Sequence, residues 1–247
     1  MWSRAPCPGE SGLAYTHFLT LSLELPRCRA ARRRLLAPGG TPEATQPGVT
    51  LPELERTVTL PRIAMILSVV KYGTPVLRQK GSRIDTISPT ITKLIADMFE
   101  TMYAYKGIGL AAQQVGIAVQ LTVIDVGGVT DRPSSLELNG QPADVQAFMP
   151  LVLINPEITP VGKPVPGPEG CLSFPEVFAD IERPDVVDVK ALNAEGKPLE
   201  FRCGGLLARA VQHETDHLNG ILFIDRMDRK TKEELKPELE QLRKSER

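Results

Sequence analysis

The chain has 247 residues, 42% of them hydrophobic and 24% charged, which is globular composition at the length of one ordinary domain with or without a tail. Lys plus Arg at 29 against Asp plus Glu at 30 leaves a formal net charge of -1, so nothing in the total points to a nucleic-acid binder. No run of about 18 apolar residues occurs, which excludes a membrane-spanning helix, and four cysteines without a CxxC pair do not make a disulfide framework.

Residues 1–64 differ from the rest. They hold eight of the 18 arginines, eight of the 22 prolines, none of the 11 lysines and no aspartate. Frequent prolines fix φ and remove amide donors, so a poorly ordered Arg/Pro-rich extension is expected. Three readings compete: an organellar transit segment, against which five glutamates count; a basic arm touching RNA or a ribosome through Arg27–Arg34; or sequence read in ahead of a true start at Met65. The abrupt change in residue usage at Met65 favours the third.

Residues 65–247 read as one compact unit. Ser88 and Pro89 supply an N-cap and a first helical position for the apolar spacing Ile91, Leu94, Ile95, Met98, Phe99, Met102, with Gly107 and Gly109 as stops. Leu121–Val126 and Leu151–Asn155 are short β-branched runs and read as buried strands. Residues 127–150 between them, rich in Gly, Pro, Ser and Asp, read as a surface loop. Val186–Leu192 and Pro198–Arg202 alternate around a turn at Asn193–Gly196, a hairpin. A helix from Gly204-Gly205 to about Asn219 follows, stopped by Gly220, and an amphipathic helix from about Lys230 to Lys244 closes the chain. Hairpin-grouped strands with a few helices make the fold class α+β.

The chain has three histidines, and two fall in His213-Glu214-Thr215-Asp216-His217. On a helix, positions i and i+4 share a face, so both imidazoles reach one cation, with Glu214 beside the first to handle a proton of a held water. The third protein ligand is not fixed by this spacing. A metzincin pattern fails because Phe223 stands where its histidine must be. Glu233 and Glu234 sit in a stretch dense with Lys, Arg and Glu, which reads as a solvated face. Cys203, on a hairpin strand, reads as a small buried residue, and Cys171 lies in what reads as a glycine-bearing turn. Spacing favours Cys171 only modestly over Cys203.

Three separated segments resemble the signature motifs of the peptide deformylase family: Gly107–Gln114 (GIGLAAQQ), Glu169–Ser173 (EGCLS) and Gln212–His217 (QHETDH). The similarity runs from about Met65 to about Arg229. It implies antiparallel sheets packed around a central metal-binding helix, and removal of the N-formyl group from the formylmethionine of newly made proteins. Cys171, His213 and His217 would hold one divalent ion, Fe2+ favoured by the family, with Zn2+, Ni2+ or Co2+ also compatible with a thiolate ligand. Glu214 would be the general acid/base, Gln114 and the backbone N–H of Leu172 would bind the oxygen of the attacked carbonyl, Gly109 would hydrogen-bond the substrate backbone, and Ile108 would help wall the methionine pocket. Leu206 and Ala210 would add apolar lining, and Arg209 would border the cleft.

The resemblance also implies the partners: formylmethionyl peptides of nascent chains and a transient ribosome contact in the cytoplasm, with no DNA and no membrane, or an organelle if residues 1–64 are a transit segment. Glu169 reads as fixing the turn around Cys171, and Asp216 as a salt-bridge partner of Arg183 that anchors the helix. Phe174–Phe178 lacks a basic residue that some members place near the cleft. Two other readings stay open: another metal-dependent amidase or peptidase on this scaffold, and a non-catalytic ribosome-associated binder acting through residues 27–34.

Overall fold

The computed structural model describes residues 64–245, so the expectations for residues 1–63 lie outside the described residues. Helix α1 (Pro89–Ala104) begins where Ser88 accepts the Ile91 N–H, with Pro89 just inside. The left-handed turn that ends it falls one residue before the expected glycine: Lys106 takes it at φ 56, and the Lys106 and Gly107 amides close back on the Tyr103 and Met102 carbonyls.

The main sheet is antiparallel throughout and has seven strands: β1 (Gly109–Ala111), β2 (Leu121–Ile124), β3 (Ser134–Leu138), β4 (Gln141–Pro142), β5 (Leu151–Pro160), β8 (Val186–Leu192) and β9 (Pro198–Gly204), in the order β1-β2-β5-β8-β9-β3-β4. The near-continuous apolar runs of β2 and β5 follow from burial on both faces. Ile124, Leu151 and Leu153 pack with helix α3 (Gly205–Leu218), whereas Val123, Val152 and Ile154 point the other way, toward Met98 and Met102 of α1. A separate two-stranded ribbon, β6 (Pro164–Cys171) and β7 (Phe174–Pro184), turns at Leu172-Ser173 and packs with Leu222, Phe223 and Leu239. The chain is thus an α+β fold of antiparallel sheets with few helices.

Three expectations need correction. Residues 127–150 are not an irregular loop: they contain β3, β4 and the short helix α2 (Val145–Phe148), with Asn139-Gly140 as the hairpin turn. That Asn-Gly pair, after the alternating Ser135-Leu-Glu-Leu138, was the available signal. This segment also caps α3, whose Gly204 N-cap has no side chain to offer: the Pro133 carbonyl accepts from Leu206 and Ser134 Oγ from Leu207. Cys171 ends strand β6 directly before the Leu172-Ser173 turn rather than sitting in the turn itself; the prolines of β6 are admissible because both strands of a two-stranded ribbon are edges. The C-terminal helix is two, α4 (Arg229–Glu234) and α5 (Lys236–Ser245), because Pro237 cannot donate to the preceding turn.

Candidate metal centre

Helix α3 is buried from Leu206 through Leu218, polar residues included. A buried polar group must find a partner, so each polar side chain on this helix is a constraint on its surroundings. His213 and His217 lie one turn apart and meet edge-to-face, ring centroids 5.1 Å from each other. Opposite them the β6–β7 register slips between Gly170 and Cys171, a bulge of the kind that re-aims a side chain. Cys171 Sγ lies 3.2 Å from His217 Nε2, and one ligand atom each from Cys171, His213 and His217 fall within 4.8 Å of one another. Ligands about 2.0–2.3 Å from a tetrahedral ion are separated by about 3.5 Å, so the group is dimensioned for a single metal.

The charges agree. Burial pushes the Cys171 thiol up, but the neighbouring imidazoles outweigh it and hold it well below the ordinary thiol range. Burial pushes His213 down, yet Cys171 and Glu169 raise it to about 10. Such a site favours positive charge between a thiolate and two ring nitrogens, the demand a divalent ion satisfies. Among the described residues this is the sole three-member group of metal-ligating type. Glu233 and Glu234 are not in it. Cys203 lies buried on β9 opposite Val187, its thiol pushed up to about 12 by burial.

The remaining expected residues fall as follows. Gln114 turns its Nε2 toward Cys171 Sγ at 3.4 Å, while its Oε1 accepts the Ala111 N–H. The adjacent Gln113 points to the Leu218 carbonyl instead, so the two glutamines are distinct in space. Leu172 follows Cys171 at the ribbon tip. Glu214 is buried, Oε2 has no hydrogen-bond partner, and burial above all raises its carboxyl. A Cβ built on Gly109 would overlap the Glu214 carboxylate, so only glycine lets that acid lie against β1. Ile108, Leu206 and Ala210 share one apolar cluster.

Arg209 does not border a cleft. It is buried, and its guanidinium binds the Val165 and Ile181 carbonyls, each at 2.7 Å, and Glu169 at 3.0 Å. Glu169 does more than fix a turn: its Oε2 lies 2.9 Å from His213 Nδ1, which leaves Nε2 of that ring for the cluster. Arg183 clamps Glu169 through two bonds and reaches Asp216 at 2.7 Å, and Arg226 grips Asp216 from outside. The link from Glu169 to His213 is the contact that sequence reasoning missed. It joins residues 44 apart, so no local periodicity signals it.

A chain with a thiolate and two imidazoles poised around one point, beside a buried carboxylic acid, has the equipment of a metallohydrolase. Residues 66–233 match the family model for polypeptide deformylase. A peptide deformylase of Methylacidiphilum infernorum (isolate V4) is 48% identical over 182 residues, 74% of this chain and 95% of that one. The crystal structure of a Synechococcus elongatus peptide deformylase in complex with actinonin superposes with a TM-score of 0.57 at 40% identity, over 73% of this chain and 85% of that one. One of Arabidopsis thaliana peptide deformylase 1B gives 0.62 at 38% identity, over 72% and 91%.

The chain belongs to the polypeptide deformylase family, metal-dependent hydrolases that remove the formyl group from N-terminal formylmethionine.

Proposed function

We propose that Cys171, His213 and His217 would hold one divalent ion, Fe2+ by preference. A thiolate among the ligands suits the softer first-row metals and leaves Zn2+, Ni2+ and Co2+ compatible. The bound ion supplies Lewis acidity, lowering the pKa of water from about 15.7 toward about 7. Glu214 takes the proton from the attacking water and delivers it to the departing amine, because a neutral amine leaves far more readily than its anion. Its burial, with one oxygen unpartnered, supports that work. The Gln114 amide and the Leu172 N–H bind the oxygen that gains negative charge; each such donor is worth about 3–4 kcal/mol of barrier.

The Gly109 backbone holds the peptide, and Ile108, Leu206 and Ala210 wall the methionine side chain. The substrates are nascent chains at a transiently bound ribosome in the cytoplasm, or in an organelle if residues 1–64 are a transit segment. No helix among the described residues is long and apolar enough to cross a membrane.

The convergence of Cys171 with His213 and His217 carries this reading. Formate release from formyl-Met-Ala-Ser with Fe(II) under anaerobic conditions tests it, with acetyl-Met-Ala-Ser as the comparison. Glu214→Ala retains its metal and loses at least about 100-fold in kcat; an active variant sinks the role given to Glu214. Equal turnover of the acetyl peptide sinks the formyl specificity and favours a broader amidase.

A further inference from the structure

Beside the metal centre lies a cavity of about 280 Å³ lined by Lys71, Ala104, Tyr105, Lys106, Cys171, Leu172 and Pro175. Cys171 of the metal-ligating group and Leu172 at the tip of the ribbon thus line a space whose charged lining is two lysines and no carboxylate. Glu176, next in the chain after Pro175, is exposed and does not line it.

The Lys71 ammonium is held in place. It donates to the Leu172 carbonyl at 3.0 Å and lies 5.8 Å from the centroid of the Tyr105 ring. An ammonium has three donors, so these contacts orient it without exhausting it.

Lys106 stands at a backbone position of a different kind. It is the left-handed residue that ends α1, at φ 56, where glycine is the usual occupant and any other side chain costs on the order of 1 kcal/mol. Its side chain is exposed, and no ion pair within the described residues accounts for a lysine at this costly position. Strain retained beside a site directs attention to what the side chain does there.

We propose that Lys71 and Lys106 form a subsite for a side-chain carboxylate of the peptide shortly after its formylmethionine, so that the enzyme favours formylated chains with Asp or Glu at the second or third residue. The inference rests on the assignment of Cys171 to the metal at the cavity floor, and adds a charge preference which that assignment does not contain. One half-buried and one exposed cation facing a carboxylate are expected to give about a fivefold preference. Because the contact is made before and during reaction alike, it acts mainly on KM.

The test compares kcat/KM for formyl-Met-Ala-Glu-Ser and formyl-Met-Glu-Ala-Ser with their Gln and Lys counterparts, all as C-terminal amides so that no terminal carboxylate competes. The wild type is expected to prefer a Glu peptide over its Gln counterpart about fivefold at low salt, less at 0.5 M KCl. Lys106→Gln lowers that ratio to about twofold, and Lys106→Glu shifts the preference toward the Lys peptide. Lys106 is the residue to vary because Lys71 also supports Leu172. Glu and Gln peptides equal within about 1.5-fold at both positions, or a ratio indifferent to both Lys106 variants, overturns the subsite and leaves the deformylase site intact. No formate from any of the peptides overturns the site itself.

Discussion

The two sides of α3 are held by different forces. Toward the main sheet, Leu207, Ala208 and Val211 sit among Ile124, Leu153, Val187 and Val189, an apolar contact without hydrogen bonds between side chains. Toward the β6–β7 ribbon, Arg209, His213 and Asp216 meet Glu169 and Arg183 through a chain of hydrogen-bonded charges. Buried ion pairs are a poor source of net stability, since desolvation offsets most of their attraction. They are directional, however. The apolar side keeps the helix on the sheet, and the charged side fixes where along its axis His213 stands relative to Cys171.

Removing the hub of the charged side should therefore have the largest effect. Arg183→Leu takes from buried Glu169 its two-bonded partner and leaves Asp216 to Arg226 alone, at a cost of about 3–5 kcal/mol in urea unfolding. A metal affinity lowered about 10- to 100-fold, measured by competition with a chelator, should accompany the loss. On the apolar side, Leu207→Ala costs about 3 kcal/mol through the cavity it leaves, while metal affinity in the folded protein stays near that of the wild type. If the two variants weaken metal binding equally, the division of labour between the two sides is wrong.

The two sides also differ in acid. Burial pushes the Glu169 carboxyl up, but hydrogen bonds from His213 and Arg183 outweigh it and hold it at about 2, against 4.5 for an unperturbed glutamate. A lowered carboxyl contributes stability that is complete above about 4.5 and is lost as pH falls toward 2. Wild-type protein should lose on the order of 2–3 kcal/mol more than Glu169→Gln across that window, followed by urea midpoints at successive pH values. Equal slopes would remove Glu169 from the account. The smallest expected effect is at Cys203, whose thiol at about 12 stays protonated and hidden, so peptide mapping after iodoacetamide at pH 8 should find it unmodified.

What the sequence disclosed depended on range. Ser88 and Pro89, the β-branched run at Leu121, the hairpin from Val186 and the helix ending at Gly220 all carry their signals within a few residues, and each stands where those signals put it. The Pro237 break and the Asn139-Gly140 turn were equally local and were outweighed by the composition around them. The pair of histidines was legible because helical periodicity alone aligns them. Neither the 3.2 Å approach of Cys171 to His217 nor the grip of Glu169 on His213 has such a signal, because ribbon and helix meet only in the folded chain. The resemblance of three motifs supplied the first, and nothing in the sequence supplied the second.

Gly107 and Gly109 look interchangeable in the sequence, yet a library randomised at both should treat them oppositely. At 107 an added methyl would touch the movable end of the Leu172 side chain at 3.0 Å, and a small shift relieves it. At 109 it would collide with the Glu214 carboxylate, so alanine there is a way to displace Glu214 without altering it. Survivors of selection for turnover should therefore vary at the first glycine and be monotonous at the second.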